Sequence, residues 1–169
     1  FDVTEISPAL GARISGLDLR ETLSGATVAA LLSAWHRHLI LLFREQELTE
    51  DQQLRFAESF GRLGVRARRP ERRPEGAGAD NVMLVTNIRK DGVPIGSLPD
   101  GEMFFHHDMC YVEAPHMATM LYGIQFPSHG GNTLFANMYA AYETLPAELK
   151  RAIEGRRVMQ VYQYDPTAR

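Results

Sequence analysis

Apolar residues near the start of the chain recur with the periods of one helix and two short strands. Those between positions 28 and 35 follow the i, i+3, i+4 and i+7 spacing of one helix face, and Ser24 precedes them as an N-cap. The pattern predicts a helix over about 25–37. The segment GARISGLDL at 11–19 predicts a strand and a turn, and the run LILLF at 39–43 predicts a buried strand.

The rest of the chain alternates short strands with turn-rich connections. Thr49 and Gln52 have the spacing of a capping box, which predicts a second helix that ends near Gly61. Composition predicts loops over 66–80 and 89–102, which are rich in glycine, proline and charged residues. Further strands are predicted over 82–86, 103–111, 118–126, 133–136 and 156–163, and a short helix over 145–155. This order favours an α+β, mainly β fold with an antiparallel sandwich or barrel over a doubly wound parallel sheet.

Length and composition limit the class of protein. The 169 residues fit one domain, and the formal net charge of −3 gives no global attraction to nucleic acid or to membranes. The single cysteine, Cys110, excludes an intrachain disulfide and suits a reducing cytoplasm. No apolar run approaches the ~20 residues of a membrane span, and no signal-peptide pattern opens the sequence. We therefore expect a cytoplasmic protein without nucleic-acid or membrane partners.

The segment FFHHDMCY at 104–111 places two histidines and an aspartate inside an apolar, aromatic run. On a strand, His106 and Asp108 would point to one face and His107 to the other. An imidazole and a carboxylate side by side supply two of the three ligands of a facial triad, which suits non-haem Fe(II). A hydrogen-bonded histidine and carboxylate in a half-buried position would give the same pattern, so these residues alone leave metal binding open.

Taken together, several segments resemble the Fe(II)- and 2-oxoglutarate-dependent dioxygenases of the taurine dioxygenase and 2,4-dichlorophenoxyacetate dioxygenase family. The resemblance begins at GARISGLDLRETLS, continues through HLILLFREQELTEDQQLRFAESFGRLG and FFHHD, and reaches GGNTLFANMYAAYETLP. It implies a double-stranded β-helix (jelly-roll) core with flanking helices. It also implies that residues 1–169 are a single domain, the N-terminal portion of a taurine-dioxygenase-like catalytic domain.

The resemblance assigns roles to individual residues. The family's His-x-Asp motif falls on His106 and Asp108, which would be iron ligands and thereby catalytic residues. The family's Gly-Gly-Asp-Thr segment falls on residues 130–133, where Thr133 would bind a carboxylate of 2-oxoglutarate. The family's second histidine ligand and its 2-oxoglutarate-binding arginine are expected beyond Arg169, so the C-terminal part of the fold is expected to be missing from this chain.

Two positions depart from the family pattern. Phe105 stands where the family usually has tryptophan, which keeps an aromatic ring beside the ligand histidine. His107 stands at the middle position of His-x-Asp, which is often small and polar. The resemblance still places the ligand at His106.

The resemblance implies an oxidoreductase that uses Fe(II), 2-oxoglutarate and O₂ to oxidise a small organic substrate, with release of succinate and CO₂. We expect hydroxylation, while desaturation and ring formation stay open. The arginine run at 66–73 could attract an anionic substrate, although a charge run of this kind is more often a solvated loop. Asn87 and Glu102 are candidate substrate contacts. We expect a homo-oligomer, a dimer or a tetramer.

Two other functions compete with this interpretation. The chain could be a non-catalytic or differently metallated jelly-roll binding protein of the same fold, because only two metal ligands fall within it. It could also bind nucleic acid through the arginine run at 66–73. That run lacks the interleaved aromatic residues on which bases stack, which counts against nucleic acid.

Overall fold

The structure is a computed structural model that describes residues 1–64, 81–96 and 104–161. The loop predicted over 66–80, with its arginine run at 66–73, lies outside these residues, as do residues 97–102 of the second predicted loop, including Glu102. Among the helices in the described ranges, none is long and apolar enough to cross a bilayer.

The chain divides into two compact units. The first, here called the sheet unit, contains Phe1–Gly61 and Met120–Val158. The second, here called the motif unit, contains Arg62–Thr119 and Met159–Arg169. The His-His-Asp segment belongs to the motif unit, whereas Thr133 belongs to the sheet unit.

The sheet unit is named for a three-stranded mixed sheet with the order β1-β2-β3. Strand β1, Asp2–Glu5, pairs antiparallel with β2, Ala12–Ser15. Strand β3, Leu41–Phe43, pairs parallel with β2, and a parallel pair requires a long crossover connection. Helix α1 supplies that connection, and the predicted strand over 39–43 is confirmed with slightly shorter bounds.

Helix α1, Gly25–His38, confirms the helix predicted over 25–37. The hydroxyl of Ser24 accepts a hydrogen bond from the backbone N–H of Thr27 at 3.1 Å, as expected of an N-cap. At the other end Leu39 adopts a left-handed φ of 66°, and its N–H donates to the carbonyl of Trp35. This left-handed cap ends the helix, and the chain continues from it into β3.

Helix α2, Glu50–Glu58, begins with the predicted capping box. The Thr49 hydroxyl accepts from the N–H of Gln52 at 3.3 Å, and the Gln52 side chain accepts from the N–H of Thr49 at 2.8 Å. Each residue thus satisfies a backbone donor that the helix itself cannot satisfy. The helix ends before Gly61, close to the predicted position.

The core of the sheet unit combines residues from β2, α1 and α2. Leu31 of α1 is fully buried, and Ile14 of β2 and Phe56 of α2 are nearly so. The ring of Phe56 meets Phe43 and Phe60 edge to face, at centroid distances of 5.4 and 5.2 Å. Burial of such a side chain contributes about 1.5–3 kcal/mol, so this cluster is the main source of stability in the unit. Half-buried residues packed against the cluster are Leu17, Leu23, Leu41, Leu48 and Met120.

The hydroxyl of Tyr122 joins the later part of the sheet unit to the connection between β3 and α2. It accepts from the N–H of Leu48 at 2.9 Å and donates to the carbonyl of Gln46 at 3.2 Å. Two short helices follow further along the chain, α3 over Met138–Glu143 and α4 over Ala147–Ile153. The latter falls inside the helix predicted over 145–155.

Several predicted strands are wrong within the described residues. No strand is present over 82–86, 118–126 or 133–136, nor in the described parts of 103–111 and 156–163. A strand requires a neighbour for its backbone hydrogen bonds, and the apolar pattern in these segments is not matched by such a neighbour in the described chain. Ile124 and Phe126 are consequently 79% and 77% exposed. The mainly β jelly-roll core expected from the family is therefore not formed by these residues, although the coarser α+β class holds.

The motif unit contains one short hairpin in a segment predicted to be turns or a long loop. Strand β4, Arg89–Lys90, pairs antiparallel with β5, Val93–Pro94. Asp91 and Gly92 connect them with φ values of 51° and 78°. Asp-Gly with two positive φ values is typical of tight hairpin turns, so this dipeptide in the sequence indicates the hairpin.

We expect the substitution Tyr122→Phe to lower the free energy of unfolding by about 1–3 kcal/mol. The change removes the acceptor for a part-buried N–H and the donor to a carbonyl while keeping the aromatic ring. Urea denaturation followed by circular dichroism measures the effect. The matched control is Tyr139→Phe, because Tyr139 is 72% exposed and should change stability by at most about 0.5 kcal/mol. Equal denaturation midpoints for the two variants would contradict the structural role of Tyr122.

Candidate metal centre

The imidazole of His106 is oriented by its own backbone neighbourhood. Its Nδ1 lies 2.7 Å from the carbonyl oxygen of Phe104. Because a carbonyl only accepts hydrogen bonds, Nδ1 carries the proton and donates it. This fixes Nε2 as the nitrogen with a free lone pair in the neutral ring, which is the arrangement found in metal-binding histidines.

The carboxylate of Asp108 stands directly in front of that nitrogen. Asp108 Oδ1 lies 3.1 Å from His106 Nε2, and the two side chains are 46% and 52% exposed. The other oxygen, Asp108 Oδ2, accepts a hydrogen bond from the hydroxyl of Thr119 at 2.6 Å. The two oxygens of one carboxylate therefore face two different partners.

The local backbone differs from the predicted strand. Asp108 begins a turn over 108–111, and Met109 within it has a positive φ of 55°. The N–H of Val112 donates to the carbonyl of Met109 at 3.2 Å and closes the turn. The i, i+2 pair was thus correctly expected to lie side by side, but the reason given, alternation along a strand, is wrong. The backbone is instead irregular at His106 and His107 and enters the turn at Asp108.

The spacing of the pair fits two neighbouring ligands of one metal ion. Imidazole nitrogen and carboxylate oxygen bind first-row ions at about 2.1 Å, so two ligands at a right angle lie about 3.0 Å apart. His106 Nε2 and Asp108 Oδ1 are separated by 3.1 Å. With the proton on Nδ1, the Nε2 lone pair faces an anionic oxygen, and this arrangement requires a positive charge between them. A metal ion supplies it, and a second ring proton would supply it in an ion pair.

The described residues bring together two candidate metal ligands and not three. No group of three or more His, Cys, Asp or Glu side chains that could hold a metal ion occurs among residues 1–64, 81–96 and 104–161. His107 is exposed beside the pair. The structure therefore brings together His106 and Asp108, as predicted, and adds Thr119, which sequence reasoning missed.

The other predicted site residues belong to different segments of the chain. Thr133 is exposed in the sheet unit, and Gly130 and Gly131 shortly before it have positive φ values of 71° and 67°. Asn87 is exposed in the motif unit, just before β4. Glu102 lies outside the described residues.

The phenylalanine rings next to His106 in the sequence are exposed in the described part of the motif unit. Phe104 and Phe105 precede His106 directly, yet they are 93% and 71% exposed. Both rings thus leave the pair open to solvent. The backbone carbonyl of Phe104, rather than its ring, is what contacts the imidazole.

Comparison with known proteins gives concordant results. The family model described as "Taurine catabolism dioxygenase TauD, TfdA family" matches residues 2–169. The chain is 32% identical over 167 residues to an (S)-phenoxypropionate/alpha-ketoglutarate-dioxygenase of Delftia acidovorans, covering 93% of the chain and 53% of that relative. It is 30% identical over 166 residues to an alpha-ketoglutarate-dependent sulfate ester dioxygenase of Pseudomonas putida, covering 98% and 51%.

A solved structure is similar over the same extent. A taurine dioxygenase from Burkholderia xenovorans superposes with a TM-score of 0.67 at 28% identity, covering 91% of the chain and 51% of that structure. The chain thus spans about half the length of the curated relatives it matches.

We expect His106→Ala to weaken metal binding by at least about 100-fold, because it removes a direct ligand rather than a supporting group. Anaerobic titration with Co(II), followed by its visible absorption, measures the dissociation constant. His107→Ala is the matched control: the neighbouring imidazole is exposed, and its loss should change the constant by no more than about twofold. Equal losses in the two variants would show that the ligand has been assigned to the wrong histidine.

Proposed function

Because the chain belongs to the taurine catabolism dioxygenase TauD, TfdA family, we propose that the protein is a non-haem Fe(II)- and 2-oxoglutarate-dependent dioxygenase. The observation that carries the proposal is the 3.1 Å spacing of His106 Nε2 and Asp108 Oδ1. In this proposal the pair supplies two of the three ligands of a facial triad.

In this proposal the two side chains hold Fe(II) and leave adjacent positions open. Bound Fe(II) would supply the one-electron chemistry with O₂ that amino-acid side chains lack. His106 contributes a neutral imidazole whose orientation is set by the carbonyl of Phe104. Asp108 contributes one negative charge, which offsets half of the charge of the ion. About half of each side chain is exposed, so the metal and its further ligands can reach the pair from solution.

The co-substrate site is proposed to include Thr133. Thr133 is exposed, and its hydroxyl can donate to a carboxylate of 2-oxoglutarate. A second histidine ligand and an arginine that pairs with the co-substrate are proposed to come from outside residues 1–169. The coverage of about half of each relative supports this. Residues 1–169 are likewise proposed to be the N-terminal portion of a catalytic domain.

The proposed reaction is hydroxylation of a small anionic substrate. One atom of O₂ enters succinate, formed from 2-oxoglutarate with loss of CO₂, and the other replaces the hydrogen of a C–H bond as a hydroxyl group. Two relatives are named for substrates with an anionic group, a phenoxypropionate and a sulfate ester. The arginine run at 66–73 provides cationic residues in the sequence, and Asn87 and Glu102 are proposed substrate contacts.

The full encoded protein, loaded with Fe(II) and 2-oxoglutarate, should release succinate in step with oxidation of an anionic substrate. A panel of phenoxyalkanoates and alkyl sulfates provides the candidates. With ¹⁸O₂, one labelled atom should appear in succinate and one in the hydroxylated product, both read by mass spectrometry. Asp108→Ala should lower succinate release by at least about 100-fold, because it removes a ligand.

The control for this measurement is Glu113→Ala. Glu113 is an exposed carboxylate five positions after Asp108, and its removal tests the effect of one lost negative charge nearby. It should leave turnover within about twofold of the parent. Tight metal binding without succinate release across the whole panel would instead favour a non-catalytic jelly-roll binding protein.

A further inference from the structure

We propose that Thr119 is a positioning residue that keeps Asp108 a one-oxygen ligand of the metal. This inference rests on the proposed function, since it concerns the same carboxylate. Neither the His-x-Asp motif nor the glycine-rich segment includes Thr119, which stands eleven positions after Asp108 in the sequence HMATMLY.

The contact has the geometry of a strong hydrogen bond. Thr119 Oγ1 lies 2.6 Å from Asp108 Oδ2. An ionised carboxylate only accepts, so the hydroxyl donates, and distances of about 2.5–2.7 Å are typical when the acceptor is charged. The bond fixes rotation of the carboxylate about its last torsion. Asp108 Oδ1 is then held on the side of His106 Nε2.

The division of the two oxygens has a chemical consequence. A carboxylate can bind a metal ion through one oxygen or through both. A facial triad leaves three open positions only if its carboxylate uses one oxygen, because a second would occupy a position that the co-substrate or O₂ needs. The Thr119 hydroxyl donates a hydrogen bond to Asp108 Oδ2 and thereby keeps that oxygen from binding the metal. The coordination position that Oδ2 would fill stays open for the co-substrate or O₂.

A purely structural role explains the contact less well. The turn over 108–111 is already closed by the backbone bond from Val112 to Met109, so it does not depend on the hydroxyl. Asp108 is 46% exposed, and a hydrogen bond at such a site adds little to folding stability. Orientation of the carboxylate is what the bond provides beyond the turn itself.

The test compares Thr119→Val, which keeps the shape and loses the hydroxyl, with Thr119→Ser, which keeps the hydroxyl. Three quantities are measured in the full encoded protein: the Co(II) dissociation constant, the affinity of the Fe(II)-loaded protein for 2-oxoglutarate, and the urea midpoint. Loss of a group that supports a ligand typically weakens metal binding by about 10–100-fold. We expect Thr119→Val to show that loss, and also weaker 2-oxoglutarate binding, while Thr119→Ser stays within about twofold of the parent.

Thr144→Val is the control for loss of a threonine hydroxyl as such. Thr144 Oγ1 donates to the carbonyl of Ala140 at 2.9 Å within the sheet unit, so its removal should leave both affinities unchanged. Thr119→Ala repeats the comparison with a smaller side chain in case valine disturbs folding.

The outcomes separate this inference from the proposed function. Metal and 2-oxoglutarate affinities of Thr119→Val and Thr119→Ala that equal those of the parent would overturn the role of Thr119 and leave the proposed function standing. Affinity losses that occur in Thr119→Ser as well, together with a lowered urea midpoint, would show that Thr119 has a structural role. That result would also overturn the positioning role. Absence of metal binding in the parent itself would overturn the proposed function, and the positioning role with it.

Discussion

The contact between His106 Nε2 and Asp108 Oδ1 is the constraint on which the functional interpretation depends. The carbonyl of Phe104 holds the proton on the far side of the imidazole, so a lone pair faces an anionic oxygen at 3.1 Å. Two electron-rich atoms stay at that distance only with positive charge between them, from a metal ion or a second ring proton. The hydroxyl of Thr119 fixes the carboxylate from the other side. The donor atoms are therefore oriented by hydrogen bonds within the motif unit.

Local capping signals explain why the helices of the sheet unit could be predicted from the sequence and most strands could not. Ser24 before α1 and the Thr49–Gln52 pair before α2 satisfy helix N–H groups within three residues, so the information lies in a short stretch. A strand is defined by a neighbour that is distant in the sequence. The apolar segment over 118–126 has the right composition, but it has no such neighbour in the described chain. The run over 39–43 became a strand because β2 lies beside it.

The candidate site shows the same division between local and distant information. His106 and Asp108 were identified because an i, i+2 pair stays close in a strand and also in the irregular backbone that leads into the turn at Asp108. Thr119 was not identified, because its contact depends on how the chain returns after residues 108–111. Its one signal in the sequence is a hydroxyl in an otherwise apolar stretch, and many such residues have no role. The Asp-Gly hairpin turn at 91–92, by contrast, was a local signal that the prediction passed over.

Different forces organise the metal pair and the proposed co-substrate residue. The pair is oriented by short hydrogen bonds to the carbonyl of Phe104 and from the hydroxyl of Thr119, in a half-exposed position. Thr133 lies among apolar side chains such as Leu134 and Phe135, which are 69% and 53% exposed. Each Å² of apolar surface that is buried stabilises the fold by about 25 cal/mol, and these exposed side chains gain little of that stabilisation. Orientation of Thr133 toward a ligand therefore requires burial of its neighbours against another element, whereas orientation of His106 and Asp108 does not.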